Sequence, residues 1–120
     1  MMIIKENQNF HISLDNLIES KHMKQRQNRM LIENIHKQNI VDIFWVDKGH
    51  PNGPEIHVLL SKAIILILNA RSSKVCTVLL ARAKQISRYY EAIEQLPPFE
   101  LLVYAMNNEV HLWNYIEKII

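Results

Sequence analysis

One cysteine, Cys76, is present in the 120 residues, so no disulfide can form within the chain, which suits a reducing compartment. Only two glycines and four prolines occur, too few for a low-complexity linker. There is no GxxxxGK[ST] phosphate loop, no GxSxG elbow and no HExxH pair. The six histidines and the lone cysteine do not form a zinc-ligand pattern, so neither a metal nor a cofactor is expected. Long hydrophobic runs are also missing. The most apolar stretch, 63–68, is far shorter than the ~20 residues that a membrane-spanning helix needs. The segment Met1-Met2-Ile3-Ile4-Lys5-Glu6 has no apolar run of signal-peptide length. A cytoplasmic protein without a membrane partner is the expectation.

Hydrophobic residues make up 48% of the chain, enough to build one core, and a single domain over 1–120 is expected. The net charge of +2 is uninformative, but its distribution is not. No acidic residue lies between Glu55 and Glu91, while Lys62, Arg71, Lys74, Arg82, Lys84 and Arg88 do. A second acid-free interval carries Lys21, Lys24, Arg26 and Arg29. Segregated basic charge is the footprint of a polyanion binder; the alternative is a solvated surface balanced in space by distant acids.

The pattern predicts an α+β fold: N-terminal helices, an antiparallel β-meander of about four strands, and C-terminal helices. Residues 1–9 read as a frayed start. Ser13 caps a first helix, whose apolar side (Leu14, Leu17, Ile18) lapses through 19–29 and resumes at Met30, as one long helix with a solvated middle or as two shorter helices. Residues 40–46 are β-branched and aromatic, hence a strand, and Lys48-Gly49-His50-Pro51-Asn52-Gly53-Pro54 is a turn. Strands follow at 55–60, 63–69 and 74–81, then a helix over 85–96 stopped by Pro97-Pro98, then two short helices over 99–106 and 110–120.

Side-chain alternation decides which residues share a sheet face. If the loop after 55–60 has an even number of residues and the next loop is the four residues 70–73, Asn69 opposes Lys74, Leu66 opposes Thr77, and Glu55, His57, Leu66 and Thr77 lie together. Ile56, Val58, Leu60, Ile65, Ile67, Cys76, Val78 and Leu80 then form the core face. An odd loop exchanges the grouping.

Glu55 and His57 stand two apart on one strand, with Cα atoms roughly 6.5–7 Å apart from the strand rise. That spacing lets a base and an acid converge on one phosphodiester, the base taking a 2′-hydroxyl proton and the acid protonating the leaving oxygen. His50, Arg82 and Arg88 are candidate cations for the phosphorane charge, with Thr77 as a neutral donor. The plain alternative is a polar strand face with an ordinary surface histidine. Arg71, Lys74, Lys84, Gln85, Arg88 and Tyr89 are candidate nucleic-acid contacts. Amides at the start of the 85–96 helix are candidates for holding a phosphate, and Tyr89 for stacking on a base. At helical spacing with Ile86 and Ile93, at least one of Tyr89 and Tyr90 belongs to the core.

The order of these features resembles the BECR superfamily of small ribonucleases and toxins, which includes barnase-, colicin- and RelE-like domains. The residues carrying the resemblance are Glu55-Ile56-His57, Val75-Cys76-Thr77-Val78 and Ala81-Arg82-Ala83-Lys84-Gln85. It covers about a third of the chain, residues 50–90, and is architectural rather than a specific motif. It implies metal-independent RNA cleavage with Glu55, His57, Thr77, Arg82 and Arg88 as working residues. The C-terminal tail after Pro98 departs from that pattern. Its apolar segment Trp113, Tyr115, Ile116, Ile119 and Ile120 motivates a different reading. This is a non-catalytic interaction protein of the phage or mobile-element type, inhibitor- or antitoxin-like, binding a host protein or pairing as a homodimer through the last helix. A DNA-binding module using 21–29 is a third reading.

Overall fold

The computed structural model describes residues 1–5, 35, 38–71 and 75–119, apart from the side chains of 75, 76 and 111–119. The expected N-terminal helices and the basic segment 21–29 lie outside the described residues, as does Lys74. Five strands form one antiparallel meander in chain order: β1 (Met2–Lys5), β2 (Ile40–Asp47), β3 (Glu55–Leu60), β4 (Ile64–Asn69) and β5 (Val75–Leu80). Two helices follow, α1 (Ala83–Ala92) and α2 (Phe99–Ile119). Among the described residues no helix is long and apolar enough to cross a membrane.

The first residues are an edge strand rather than a frayed start. Ile3 opposes Val46 and packs into the core, while Met2 and Ile4 face outward. The Pro-Asn-Gly turn joins β2 to β3, with the Gly53 amide donating to the His50 carbonyl at 3.0 Å. Gly53 has a φ of +86°, and the Arg71 guanidinium lies where a Cβ would stand. The backbone conformation therefore favours glycine there, and any larger residue would also have to displace the flexible end of Arg71.

The β3–β4 loop has an odd length, and no glycine makes the turn. Ala63 takes the left-handed conformation instead, at φ 56°. The resulting register sets His57 against Ile67 and Leu59 against Ile65. Ile65 and Ile67 thus join the face of Glu55 and His57, not the opposite face as the even-loop grouping had it. The second strand pair starts as expected, with Leu68 opposite Val75, but then slips by one residue, so Thr77 opposes Ile67 rather than Leu66. An odd loop and a bulge each invert the pairing parity. Their combination returns Thr77 to the Glu55–His57 face.

Both faces are buried. One carries Ile56, Val58, Leu60, Ile64, Leu66, Leu68 and Val78, with Ile35 packed on it. The other carries Phe44, Val46, Leu59, Ile65 and Ile67 and is covered by Ile86, Tyr89 and Tyr90 of α1 and by Leu101 and Ala105 of α2. The face expected to be polar surface is therefore a second core, because the two helices after the sheet fold back across it.

α1 ends earlier than its apolar spacing suggested. The Glu94 amide donates to the Glu91 carbonyl and the Gln95 amide to the Tyr90 carbonyl, with Glu94 at φ 57°. This is a Schellman stop with glutamate where glycine is usual. Leu96 lies beyond it, 93% exposed. Glu94→Gly removes the left-handed penalty and an acid from a helix C-terminus, and should stabilise the protein by about 1 kcal/mol. Urea denaturation of the two proteins measures it.

The two short helices expected after Pro98 are one continuous helix of 21 residues. The polar pair Asn108-Glu109 does not break it, because both side chains are used inward. The Asn108 side-chain amide donates to the Ala63 carbonyl at 3.1 Å. The Glu109 carboxylate accepts from the Ala83 amide at 3.0 Å and so caps the start of α1.

Candidate functional site

The polar groups of the covered face form two ties between α1 and the sheet. In the first, the His57 ring, 6% exposed, lies between Tyr89 and Glu55. Nδ1 is 2.5 Å from the Tyr89 hydroxyl and Nε2 is 3.0 Å from Glu55 Oε1. Lys48 Nζ reaches the same carboxylate oxygen at 3.2 Å. In the second tie the Tyr90 hydroxyl donates to Asp42 Oδ2, and Lys5 Nζ pairs with Asp42 Oδ1 at 3.0 Å. The Phe44 ring stands between the ties. It stacks on Tyr89 with centroids 4.7 Å apart and meets the edge of Tyr90 at 5.6 Å. Tyr89 and Tyr90 are adjacent, yet both face the sheet, one reaching β3 and the other β2.

The protonation states follow from burial. Desolvation pushes the Tyr89 hydroxyl well above its ordinary range, and the nearby Glu55 charge adds to this. Tyr89 is therefore a donor at neutral pH, and it donates to His57 Nδ1. His57 Nε2–H then donates to Glu55, which makes the imidazole neutral. Desolvation outweighs the attraction of Glu55, and the His57 pKa lies below 6.5. For Glu55 burial acts upward, but the hydrogen bonds from His57 and Lys48, with the Lys48 charge, bring the carboxyl below 4.5. Desolvation and the Asp42 hydrogen bond raise Tyr90.

These directions set the stability profile. The unfolded chain binds more protons than the folded one wherever His57 is protonated only when unfolded, so stability rises with pH there. His57's contribution is complete above pH 6.5 and is lost as pH falls from there through its lowered folded value. Glu55 adds a further loss below pH 4.5. The slope from one such group is at most about 1.4 kcal/mol per pH unit. Denaturation of wild type and His57→Gln across pH 7.5 to 5 should show a steeper fall in the wild type.

Glu55, His57 and Thr77 share a face, and the structure brings Glu55 and His57 into contact. The Thr77 hydroxyl is buried without a hydrogen-bond partner among the described residues. Arg82 does not approach them. Glu55 opens β3, whereas Arg82 follows Leu80, which aligns through Ile64 with Leu60 at the other end of that strand. Five residues of strand rise separate the two ends, about 16 Å. His50 and Arg71 lie at the Glu55 end, in exposed loops; Lys84 and Arg88 lie on the outer surface of α1. Arg88 forms no ion pair with Glu91 among the described residues.

Four of the amides at the start of α1, the candidates for holding a phosphate, are already engaged. The Arg82 amide donates to the Gln85 side chain and the Ala83 amide to Glu109, while the Gln85 and Ile86 amides donate to the Arg82 carbonyl. Tyr89 is buried against Phe44 and His57, with no ring face open to a base. Among the described residues no group of three or more His, Cys, Asp or Glu is placed to hold a metal ion.

Sequence reasoning missed Asp42, Phe44, Asn108 and Glu109. An acid inside the β-branched run of β2 was a signal for Asp42; Asn108 and Glu109 had none, their partners being 45 and 26 residues away.

A different surface stands out on α2. Phe99, Val103, Met106 and Val110 are 78%, 40%, 57% and 60% exposed, and Leu96 just precedes them. Their spacing of four, three and four places them on one helix face, opposite the buried Leu101 and Ala105. Comparison with family models, curated proteins and solved structures finds no match to this chain.

Proposed function

We propose that this chain is a non-catalytic interaction domain that binds protein through the outer face of α2. The observation that carries the reading is the exposed apolar stripe Phe99, Val103, Met106 and Val110. Exposed apolar side chains in one contiguous row mark interaction sites. An inhibitor- or antitoxin-like partner of a host protein has this format, and a second copy of the chain is another such partner. Of the segment Trp113–Ile120, which first suggested a contact, residues 113–119 continue the same helix, and the side chains lie outside the described residues.

The Glu55–His57–Tyr89 tie favours this reading over acid–base catalysis. Both imidazole nitrogens are committed within the fold, and the helix that supplies Tyr89 covers the ring. The test is incubation of wild type and His57→Gln with a broad RNA panel, with and without EDTA. No cleavage above background by either protein is expected; cleavage that disappears in the variant contradicts the reading.

RNA binding without cleavage is a second reading, supported by Arg82, Lys84 and Arg88, which are exposed. It requires RNA affinity that falls with salt and drops in Lys84→Ala/Arg88→Ala.

A further inference from the structure

We infer that the partner on the α2 stripe is a second copy of this chain, paired helix to helix in antiparallel orientation about a two-fold axis. This rests on the protein-binding reading of the stripe and names its occupant. The stripe is self-complementary. Its spacing gives heptad positions d, a, d and a to Phe99, Val103, Met106 and Val110, a seam of the kind that packs knobs into holes. In an antiparallel pair centred between residues 104 and 105, Phe99 faces the second copy's Val110 and Val103 faces its Met106. Each layer therefore pairs a large side chain with a β-branched one. A parallel pair sets Phe99 against Phe99 and aligns the two helix dipoles, which the antiparallel pair opposes.

Charge and area agree with self-pairing. Glu109, the acid beside the seam at its C-terminal half, is turned inward onto the Ala83 amide. Glu100 is placed beside the neutral Asn107 of the other copy, so within residues 99–110 no like charges meet across the contact. The four side chains of the stripe expose on the order of 450 Å² of mostly apolar surface per chain, over half of the ~800 Å² per partner of a standard interface, and the polar rim supplies the rest. A two-fold axis closes the contact with the same patch on both subunits, leaving no apolar row open.

Sedimentation velocity over a wide concentration range tests the pairing, with wild type beside Val103→Glu/Met106→Glu. Both substituted positions are exposed, so circular dichroism and thermal unfolding of the dilute proteins should agree. A concentration-dependent dimer is expected for wild type, with the dissociation constant raised at least about a hundredfold in the variant by facing carboxylates. Orientation is read by oxidising a mixture of Phe99→Cys and Val110→Cys proteins and identifying the linked peptides. Links between 99 and 110 are expected. A wild-type monomer at every concentration, a dimer indifferent to the two glutamates, or links of 99 to 99 overturns the inference. A monomer that cleaves no RNA rejects self-pairing alone; RNA cleavage lost in His57→Gln rejects the reading beneath it.

Discussion

Phe44→Ala should destabilise the protein by about 4 kcal/mol, near the upper end for a single core truncation. The ring is fully buried and touches both tyrosines that hold α1 on the sheet. Its loss opens a cavity between the two polar ties and removes aromatic contacts worth about 1 kcal/mol beyond their area. The expected signature is a midpoint roughly 15 °C lower in thermal unfolding. Phe44→Leu, which keeps most of the volume and loses the stacking, should lose only about 1.5 kcal/mol. Equal losses in the two variants would mean that the rings do not cooperate.

His57→Ala is the second large effect, about 3 kcal/mol. Truncation leaves a cavity, strands the Tyr89 hydroxyl in the core without an acceptor, and takes from Glu55 one of its two partners. A buried hydroxyl left unpaired costs about 1–3 kcal/mol, and the cavity adds to it. The pair rather than the residue is the unit. Tyr89→Phe alone strands His57 Nδ1 and should lose about 1–2 kcal/mol, whereas His57→Phe/Tyr89→Phe removes both polar partners and should fall well short of the sum of the single losses. Chemical denaturation of the full cycle measures the coupling. Additive losses would mean that no hydrogen bond joins the two rings.

Much of the sheet was legible in the sequence because its signals are local. β2 and β3 announce themselves by β-branched and aromatic residues on either side of His50-Pro51-Asn52-Gly53, and the antiparallel meander follows from the short spacings. Face assignment was not legible, since it turns on two single-residue events. Ala63 makes a three-residue turn without glycine, and a bulge lies between the β4 and β5 pairings. Neither leaves a mark in composition.

The candidate site was half legible for the same reason. That Glu55 and His57 meet follows from their two-residue spacing on a strand. What encloses them depends on Tyr89, 32 residues from His57, and on α1 folding back over the sheet. Alternation alone presents the Glu55–His57 face as polar surface, because it cannot say what covers a face. Likewise the basic residues cluster in sequence but divide between the two ends of the sheet. The meander sends β5 and Arg82 to the end opposite Glu55.

The most direct test of His57 as a neutral structural tie is its imidazole nitrogen spectrum in a pH titration followed by NMR. A neutral ring protonated on Nε2 at pH 7, with Nδ1 as acceptor and a titration midpoint below pH 6.5, is the predicted result. A His57 that titrates at or above 6.5, or carries its proton on Nδ1 at neutral pH, would contradict the tie and return the residue to the role of an acid–base group.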